Sequence, residues 1–335
     1  MTALGIELAR GLAQATLRKT AQVGLANAEA NLPYIKKTIL DLERNPGTGP
    51  TSAVVFGGGP SLHRKNPART LRELGYQGEA VGSDAALGYC LRNGLVPQYV
   101  VTVDSHPYRI VRWFGDPLFD SRPSDDYFLR QDLDPFHKDE SRANELTLEL
   151  VNAHGKHIKA IIATSVDPGV TRRCLEAGME LYWWNPLYDD YDAPHSHSRR
   201  VQELTNVPCM VMGGNVGSSA FVFAAAVLRA SKVALVGFDM SYAPGTPPLN
   251  TQYYYQLREL LGDRIAEAFI EIETPHTGET WISDPTYYWY RQIFLEIAAV
   301  AECETFNCTE GGVLFGDDVR FVALRDFLEK YGREK

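Results

Sequence analysis

The sequence predicts an α/β protein built on a doubly wound, mostly parallel sheet with helices on both faces. From Thr51 onward, short apolar runs alternate with segments of helical periodicity. This order implies parallel strand pairing through right-handed crossovers. Most of the runs are continuously apolar, which is typical of strands buried on both faces. Each run ends in glycine or polar residues, so the strand ends are the natural place for a site.

The first 48 residues differ from the rest of the chain. Leucine and isoleucine recur there at helical spacing, first at Leu4, Leu8 and Leu12 and later at Ile35, Ile39 and Leu42. The run N-P-G-T-G-P at 45–50 ends any helix. We therefore expect an N-terminal helical segment over residues 1–48 and a main domain over residues 49–335. The segment would pack on the core or mediate homo-oligomerisation.

The elements of the main domain follow from the alternation of patterns. Predicted strands lie at 52–56, 80–82, 99–103, 158–163, 180–184, 209–212 and 233–236. Predicted helices lie at 67–74, 84–92, 145–154, 168–177 and 216–229. Residues 115–140 indicate an irregular excursion, residues 185–198 a polar loop, and E-T-P-H-T-G-E-T at 273–280 a short hairpin.

The residues directly after the strands are the first candidates for a site, because ligands of such sheets bind beyond the carboxyl ends of the strands. They are Gly57-Gly58-Gly59-Pro60-Ser61, Ser83-Asp84, Asp104-Ser105-His106, Thr164-Ser165, Gly213-Gly214-Asn215 and Gly237-Phe238-Asp239. One site that draws on several strand ends is therefore the prediction.

Two glycine-rich turns stand out among these strand ends. V-V-F-G-G-G-P-S-L at 54–62 lacks the lysine of a P-loop and the third glycine of the dinucleotide fingerprint. Its glycines still allow close approach of a ligand, and its amides and Ser61 can bind an anion. G-G-N-V-G-S-S at 213–219 begins a helix whose N-terminus favours negative charge. Either turn alone could be a packing device, but two at one sheet edge favour a bound ligand.

Carboxylates and histidines supply the candidate chemistry. Asp84, Asp104 and Asp239 each follow a strand, where a carboxylate can contact ribose, hold Mg²⁺ through water or transfer a proton. Asp84 could equally cap its helix, so we favour ligand contact for Asp104 and Asp239. The candidate acid–base histidines are His106, His195, His197 and His276, among which the sequence does not choose.

Composition excludes several classes of function. A net charge of −9 and a pI of about 5.4 argue against nucleic-acid partners and against adsorption to anionic membranes. Five scattered cysteines indicate reduced thiols. No apolar run approaches the ~18 residues of a membrane span, and the first residues do not resemble a signal peptide. We expect a soluble, cytoplasmic protein.

Five motifs in order resemble a known family. They are G-G-G-P-S-L, S-D-A-A-L-G-Y-C-L-R-N-G-L-V-P-Q-Y-V-V-T-V-D, G-G-N-V-G-S-S-A-F, V-A-L-V-G-F-D-M-S and F-N-C-T-E-G-G-V-L-F-G, within residues 50–316. The series resembles the 6-hydroxymethylpterin diphosphokinase MptE-like proteins, which include the motility accessory factors (Maf) that transfer nonulosonic sugars to flagellin. The resemblance implies a Rossmann-like catalytic domain over 49–335 and a nucleotide-containing donor. The long flanking domains of the flagellar members have no counterpart, so flagellin is not the expected acceptor.

Parts of the series are also similar to bacterial sialyltransferases that bind a CMP-sugar. Their C/G-N-G-P-S-L turn carries Asn where this chain has Gly58. G-F-D-M-S-Y resembles their G-x-D-x-x-Y segment, which implies roles for Asp239 and Tyr242 near the nucleotide and the leaving phosphate. The pterin kinases carry D-x-D where this chain has T-V-D-S, with Asp104 as the single carboxylate. This departure favours glycosyl transfer over diphosphoryl transfer, which depends heavily on metal ions.

Three hypotheses therefore stand. In the favoured one, a glycosyltransferase with a CMP-nonulosonate-type donor transfers a sugar to a small-molecule, glycan or protein acceptor. The nucleotide would be held by Gly57, Gly58, Gly59, Pro60, Ser61, Ser83, Asp84, Gly214, Asn215, Gly237 and Tyr242. Asp104, Asp239, His276 and His106 would be the catalytic candidates.

The alternatives differ in metal dependence. An ATP- and Mg²⁺-dependent diphosphokinase for a pterin-like alcohol would use Asp84 and Asp104 as metal ligands. Trp183, Trp184 and Tyr188 could then stack on the flat ring. The third hypothesis is a nucleotide-binding protein without catalysis. Beyond a nucleotide-sugar or ATP as substrate, no cofactor is firmly implied.

Overall fold

The computed structural model describes residues 21–45, 47–131 and 135–333, so the predicted helical leucines Leu4, Leu8 and Leu12 lie outside the described residues. Within these ranges, nine strands form one parallel sheet in the order β11-β10-β7-β1-β2-β3-β4-β5-β6. In chain order the strands are β1 (Ser52–Phe56), β2 (Glu79–Ser83), β3 (Tyr99–Thr102), β4 (Lys159–Ala163), β5 (Glu180–Leu187), β6 (Cys209–Val211), β7 (Lys232–Val236), β8 (Ile270–Glu273), β9 (Thr280–Ser283), β10 (Glu304–Asn307) and β11 (Val319–Phe321). The Rossmann-like, doubly wound α/β fold is confirmed.

The strand order reverses between β1 and β7. From β1 the chain adds β2 to β6 on one side, and it then returns to place β7, β10 and β11 on the other side of β1. Ligands of open α/β sheets bind at such a switch point, because the loops that leave the two neighbouring strands diverge there and leave a crevice. The fold thus indicates that a ligand site lies between the loops that follow β1 and β7.

Helices cover both faces of the sheet. They are α1 (residues 21–31), α2 (Ser61–Lys65), α3 (Pro67–Glu73), α4 (Asp84–Arg92), α5 (Arg109–Trp113), α6 (Tyr127–Arg130), α7 (Glu140–His154), α8 (Pro168–Glu176), α9 (His197–Thr205), α10 (Val216–Val222), α11 (Tyr254–Leu261), α12 (Pro285–Val300) and α13 (Leu324–Tyr331). Short 3₁₀ turns lie at Leu32–Tyr34, Ile39–Leu42, Phe119–Ser121, Pro135–Lys138, Gly155–His157, Pro248–Asn250 and Gly262–Ala268.

Two hydrophobic cores lie on opposite faces of the sheet. Side chains alternate along a strand, so Val55 of β1 belongs to the core that contains Phe221 of α10. Its neighbour Phe56 belongs to the second core, with Leu71 of α3 and Phe327 of α13. All five residues of β1 are buried. The continuous apolar runs of the sequence are thereby explained.

Several predicted elements have different bounds. β5 extends to Leu187, because Asn185–Leu187 pair with β6 in what was predicted as a loop. The predicted helix 216–229 is α10 followed by a π-helical turn at Phe223–Val227. Ile35, Ile39 and Leu42 do not share one α-helix, since the backbone is extended at Ile35 and Thr38 between two 3₁₀ turns. The hairpin predicted at 273–280 is present as the turn between β8 and β9.

The described part of the N-terminal segment is attached to the sheet by specific hydrogen bonds. Asn31, at the end of α1, is fully buried and donates from Nδ2 to the carbonyls of Thr164 (3.1 Å) and Val166 (2.9 Å). Its Oδ1 accepts from the hydroxyl of Thr171 at 2.8 Å. One turn earlier, Asn27 donates to the carbonyl of Ser165 at 2.8 Å. Residues 21–31 therefore cover the loop that leaves β4.

We expect Asn31→Ala to destabilise the protein by about 2–3 kcal/mol, because it leaves buried carbonyls and the Thr171 hydroxyl without their partner. Asn27→Ala is the matched control and should cost about 1 kcal/mol, since it removes a single hydrogen bond at a half-buried position. Urea unfolding of the two variants measures both values. Equal effects would contradict the anchoring role of Asn31.

In the part of the chain that the structure describes, no helix combines the length and the apolar character needed to cross a bilayer.

Candidate functional site

The first glycine turn contacts the loop after β7 directly. The amides of Gly57 and Gly59 donate to the carbonyls of Val236 (2.8 Å) and Gly237 (2.9 Å). The Ser61 hydroxyl donates to Oδ2 of Asp239 at 2.7 Å, and its amide approaches the same carboxylate at 3.3 Å. A Cβ at Gly59 would overlap this carboxylate. The two loops that flank the switch point are therefore locked together.

Asp239 is buried beneath the turn. Its residual exposure is 1%. Burial raises the pKa of its carboxyl to about 7, although the two hydrogen bonds from Ser61 act in the opposite direction. The structure thus places Asp239 where it holds the glycine turn. Gly58, by contrast, is the exposed residue of that turn and lies next to Ala85 at the start of α4.

The loop after β2 has a second buried carboxyl. Ser83, and not Asp84, occupies the N-cap position of α4, which corrects the prediction that Asp84 caps this helix. Asp84 instead accepts from the Thr102 hydroxyl and from the Ala85 amide, each at 2.7 Å. Burial raises its pKa to about 7, and the neighbouring charge of Asp104 contributes. The hydroxyl of Ser83 is buried and has no hydrogen-bond partner among the described residues.

Asp104 is the exposed carboxylate of this edge. It follows β3, and its Oδ1 accepts from the amide of His106 at 2.8 Å. The Nδ1 of His106 is approached by the amides of Tyr108 (3.4 Å) and Arg109 (3.3 Å), and its ring stands edge-on to Tyr108. Asp104 is therefore the carboxylate that a substrate can reach, with His106 beside it.

The second glycine turn also approaches an aromatic helix. Asn215 caps α10: its Oδ1 accepts from the amide of Ser218 at 3.0 Å. Gly214 has a φ of +84°, and a Cβ there would come within 2.7 Å of the ring of Tyr290 on α12. The turn thus needs glycine for both backbone conformation and close packing. Asn215 serves as a cap, and Gly214 allows Tyr290 to pack against the turn.

Tyr242 connects the loop after β7 to α12. Its hydroxyl donates to Oδ2 of Asp284 at 2.6 Å and accepts from the Gln252 amide at 3.1 Å. Asp284 is fully buried, caps α12 through the amides of Thr286 and Tyr287 (2.8 Å each), and has a pKa raised by burial to about 6. Tyr242 is therefore part of a buried hydrogen-bond network with Asp284 and Gln252.

Four further tyrosines interact electrostatically with these carboxyls and were missed from the sequence. They are Tyr127, Tyr253, Tyr287 and Tyr290. Burial raises the pKa of Tyr127 to about 12, and the charges of Asp104 and Asp84 add to it. The run D-P-T-Y-Y-W-Y at 284–290 could have revealed two of them. Asp-Pro marks the start of a helix, and tyrosines three residues apart lie on the same helix face.

A cavity of about 250 Å³ opens on the other side of the glycine turn. Its walls include Ser61 and Lys65 of α2, Gly237 after β7, Thr309 after β10 and Arg325 of α13. Its volume is below the roughly 300–1,000 Å³ of a whole-ligand pocket. Lys65 and Arg325 are cationic and Glu310 is acidic, while Ser61 and Gly237 offer a hydroxyl and backbone groups that can contact a polar ligand.

Some predicted residues lie elsewhere. His276, in the turn between β8 and β9, stacks on Phe321 of the outer strand β11, with ring centroids 4.4 Å apart. This strand is three positions from β1 in the sheet. Trp183 and Trp184 are fully buried in the core, so the prediction that they stack on a substrate ring is wrong. His197 is the first residue of α9, and its loop is held by Asp189.

The kinase alternative predicts Asp84 and Asp104 as ligands of Mg²⁺. Across residues 21–45, 47–131 and 135–333, no group of three or more His, Cys, Asp or Glu side chains is placed to hold a metal ion. Asp84, one of the two proposed ligands, already accepts hydrogen bonds on both of its oxygens. Asp104, the other proposed ligand, is exposed at the end of β3.

The fold and the site define an α/β protein with a Rossmann-like sheet and a polar candidate site at its switch point. No family model matches the sequence, and no curated protein matches it either. A solved structure does match: the Maf glycosyltransferase from Magnetospirillum magneticum AMB-1 covers 92% of this chain, with a TM-score of 0.55 and 14% identity. The chain spans 39% of the length of that protein. At the level of the fold, the resemblance to Maf glycosyltransferases is supported.

Proposed function

We propose that this protein is a glycosyltransferase that uses a nucleotide-activated sugar. The observation that carries the proposal is the contact of Gly57–Ser61 with the loop after β7 at the switch point, beside a cavity with Lys65 and Arg325. A glycine turn with cationic neighbours suits a phosphate of the donor. The fold shared with a Maf glycosyltransferase agrees with this proposal. A CMP-nonulosonate-type donor remains the specific hypothesis.

The solvent exposure of each side chain decides whether it can react with a substrate or only positions the loops. The acceptor hydroxyl oxygen would attack the anomeric carbon, and the bond from that carbon to the phosphate oxygen would break, with the electron pair leaving on the phosphate. Asp104, with His106 beside it, would take the hydroxyl proton. Asp239, Asp84 and Tyr242 would position the turns from beneath, since their oxygens are engaged within the protein. His276 stacks on Phe321 of β11, three positions from β1 in the sheet, and takes no part in this reaction scheme.

The kinase alternative has less support. Diphosphoryl transfer relies on metal ions that bridge the phosphates, and Asp84, one of its two proposed ligands, is buried and hydrogen-bonded to Thr102 and Ala85. A nucleotide-binding protein without catalysis differs from the proposed enzyme only in the role of Asp104. The kinase alternative is an outcome of the binding experiment that follows.

We expect CMP or CDP to raise the unfolding free energy without metal, by about 2.7 kcal/mol at a concentration 100-fold above the dissociation constant. Gly58→Leu should abolish this stabilisation and lower the free protein's melting temperature by only a few degrees, because Gly58 is exposed and its Cβ would meet only the Cβ of Ala85, at 3.0 Å. Thermal unfolding with CMP, CDP, ATP and ATP with Mg²⁺ checks both expectations. Stabilisation by ATP with Mg²⁺ alone would favour the kinase.

A further inference from the structure

Helix α1 packs on the sheet with almost no apolar contact. Its buried positions are Ala21, Gly24, Ala28 and Asn31, which recur every three or four residues along one helix face. Within the described ranges, neither buried alanine belongs to a hydrophobic cluster, and Val23 is exposed. Segments with few buried apolar contacts open at a lower free energy than the protein as a whole. The attachment of α1 therefore depends on hydrogen bonds and on close packing.

The hydrogen bonds of α1 are concentrated at its last residue. Asn31 makes three of them, two with carbonyls of the loop after β4 and one with α8. The chain that follows is also fixed, since the carbonyl of Tyr34 accepts from Nε1 of Trp183 at 3.2 Å. Among the described residues, the rest of α1 sends one side-chain hydrogen bond to the sheet loops, that of Asn27 with Ser165. The helix is thus held firmly at one end and weakly along the rest of its length.

A buried hydroxyl lies beneath the weakly held part of α1. Tyr188, directly after β5, is 7% exposed, and its hydroxyl forms no hydrogen bond with any residue that the structure describes. A Cβ on Gly24 would lie 2.6 Å from this hydroxyl, so glycine is required for α1 to come this close. Buried hydroxyls are normally satisfied, and an unsatisfied one costs free energy. This cost is relieved when α1 moves away and water reaches Tyr188.

Ser165 connects α1 to the loop after β3. Its carbonyl accepts from Nδ2 of Asn27 at 2.8 Å, and its hydroxyl donates to the carbonyl of Val103 at 2.9 Å. Val103 directly precedes Asp104, whose carboxylate accepts from the amide of His106 at 2.8 Å. Ser165 is 1% exposed, so water does not compete for these hydrogen bonds while α1 is in place. The position of α1 is therefore transmitted to the loop that carries Asp104.

We propose that α1 is a lid that pivots about Asn31, and that its opening uncovers Tyr188 and Ser165 and loosens the loop of Asp104. These three strand-end residues follow β5, β4 and β3, which are neighbours in the sheet, so the lid covers one continuous stretch of the carboxyl edge. Asn31 stays attached during this motion, whereas the hydrogen bond of Asn27 breaks. The lid itself does not depend on the proposed glycosyl transfer. Only its effect on Asp104 as the base rests on that function.

Hydrogen–deuterium exchange of the whole protein, read by mass spectrometry, measures the opening of the lid. In the natural protein we expect the amides of residues 21–30 to exchange faster than those of β1, which open only with global unfolding. Gly24→Ala should speed the exchange of residues 21–30 and of the His106 amide by about tenfold, because its Cβ overlaps the Tyr188 hydroxyl.

Removal of the hydroxyl should have the opposite effect. Tyr188→Phe is expected to slow the exchange of residues 21–30 by about fivefold, because the closed state no longer contains an unpaired hydroxyl. It should also rescue Gly24→Ala, since the new Cβ would then meet the ring carbon Cζ at 3.5 Å, an ordinary contact. In the double variant, exchange should therefore return to within about twofold of the natural rate.

Gly88→Ala is the matched control, because Gly88 also lies inside a helix. Its Cβ would meet the end of the flexible Arg92 side chain at 3.3 Å, which can move aside. We expect this variant to change the exchange of residues 21–30 and of the His106 amide by less than about twofold.

The outcomes separate the lid from the proposed function. Faster exchange in Gly24→Ala that Tyr188→Phe reverses would support the lid. Exchange of residues 21–30 only with global unfolding, or equal effects of Gly24→Ala and Gly88→Ala, would overturn it. Faster exchange in Gly24→Ala without any change at His106 would overturn the link to Asp104.

Two further measurements keep the test decisive. If Gly24→Ala does not fold, Tyr188→Phe alone must still slow the exchange of residues 21–30. Stabilisation by CMP in a protein whose α1 opens only with global unfolding would refute the lid and leave the proposed function standing. A lid that opens in a protein that no nucleotide stabilises would do the reverse.

Discussion

Gly59→Ala is expected to destabilise the protein by about 3 kcal/mol or more and to abolish nucleotide binding. The added Cβ would overlap the carboxylate of Asp239 and approach the carbonyl of Gly237. Neither group can move away freely, since Asp239 is held by Ser61 and Gly237 follows a buried strand. The loops after β1 and β7 would have to separate, and the anion-binding turn would lose its shape.

Gly58→Ala is the matched control, one residue earlier in the same turn. Its Cβ would lie 3.0 Å from the Cβ of Ala85 at an exposed position, so a small adjustment accommodates it. We expect the free energy of unfolding to change by no more than about 1 kcal/mol, and CMP should still stabilise the variant. Urea unfolding and thermal shifts with CMP measure both variants. If Gly58 and Gly59 tolerate alanine equally, the contact between the two loops does not determine the shape of the turn.

The strand ends were predictable because they depend on local patterns. Each of the six predicted strand-end groups, from Gly57–Ser61 to Gly237–Asp239, begins at the last residue of a strand of the sheet or within two residues after it. Apolar runs buried on both faces end where the chain must turn, and polar or glycine residues mark that turn. The parallel arrangement then follows from the alternation with helices. Local information thus determined which residues meet at one sheet edge.

The depth and direction of the side chains were not predictable in this way. Ser61 and Asp239 are 178 residues apart, and only the return of the chain to β7 brings them into contact. Asp239 looked like a ligand-binding carboxylate but is buried beneath the turn. Arg130 lies in a stretch that has no clear periodicity, so its hydrogen bonds to the carbonyls of Leu249 and Thr251 depend on tertiary packing alone. Spacing cannot reveal a contact between two such distant segments.

The stability of Asp239→Asn relative to the natural protein is expected to rise with pH. The pKa of Asp239 is raised by burial from 3.8 to about 7, so the folded state binds a proton between these values that the unfolded state releases. The stability that the neutral carboxyl gives is present below about pH 4 and is lost as the pH rises to about 7. A difference of about three pKa units corresponds to about 4 kcal/mol. Asparagine has no such proton to lose.

Urea unfolding of both proteins between pH 4 and pH 8 measures this difference directly. Other titrating groups cancel, among them Asp189, whose pKa is lowered to about 2, because they are common to both proteins. The stability of Asp84→Asn relative to the natural protein should also rise with pH, since the carboxyl of Asp84 is equally buried and its pKa is also about 7. A pH-independent difference would mean that Asp239 is ionised in the fold. In that case the turn would carry a negative charge beneath it, which would oppose the binding of a phosphate at Gly57–Ser61.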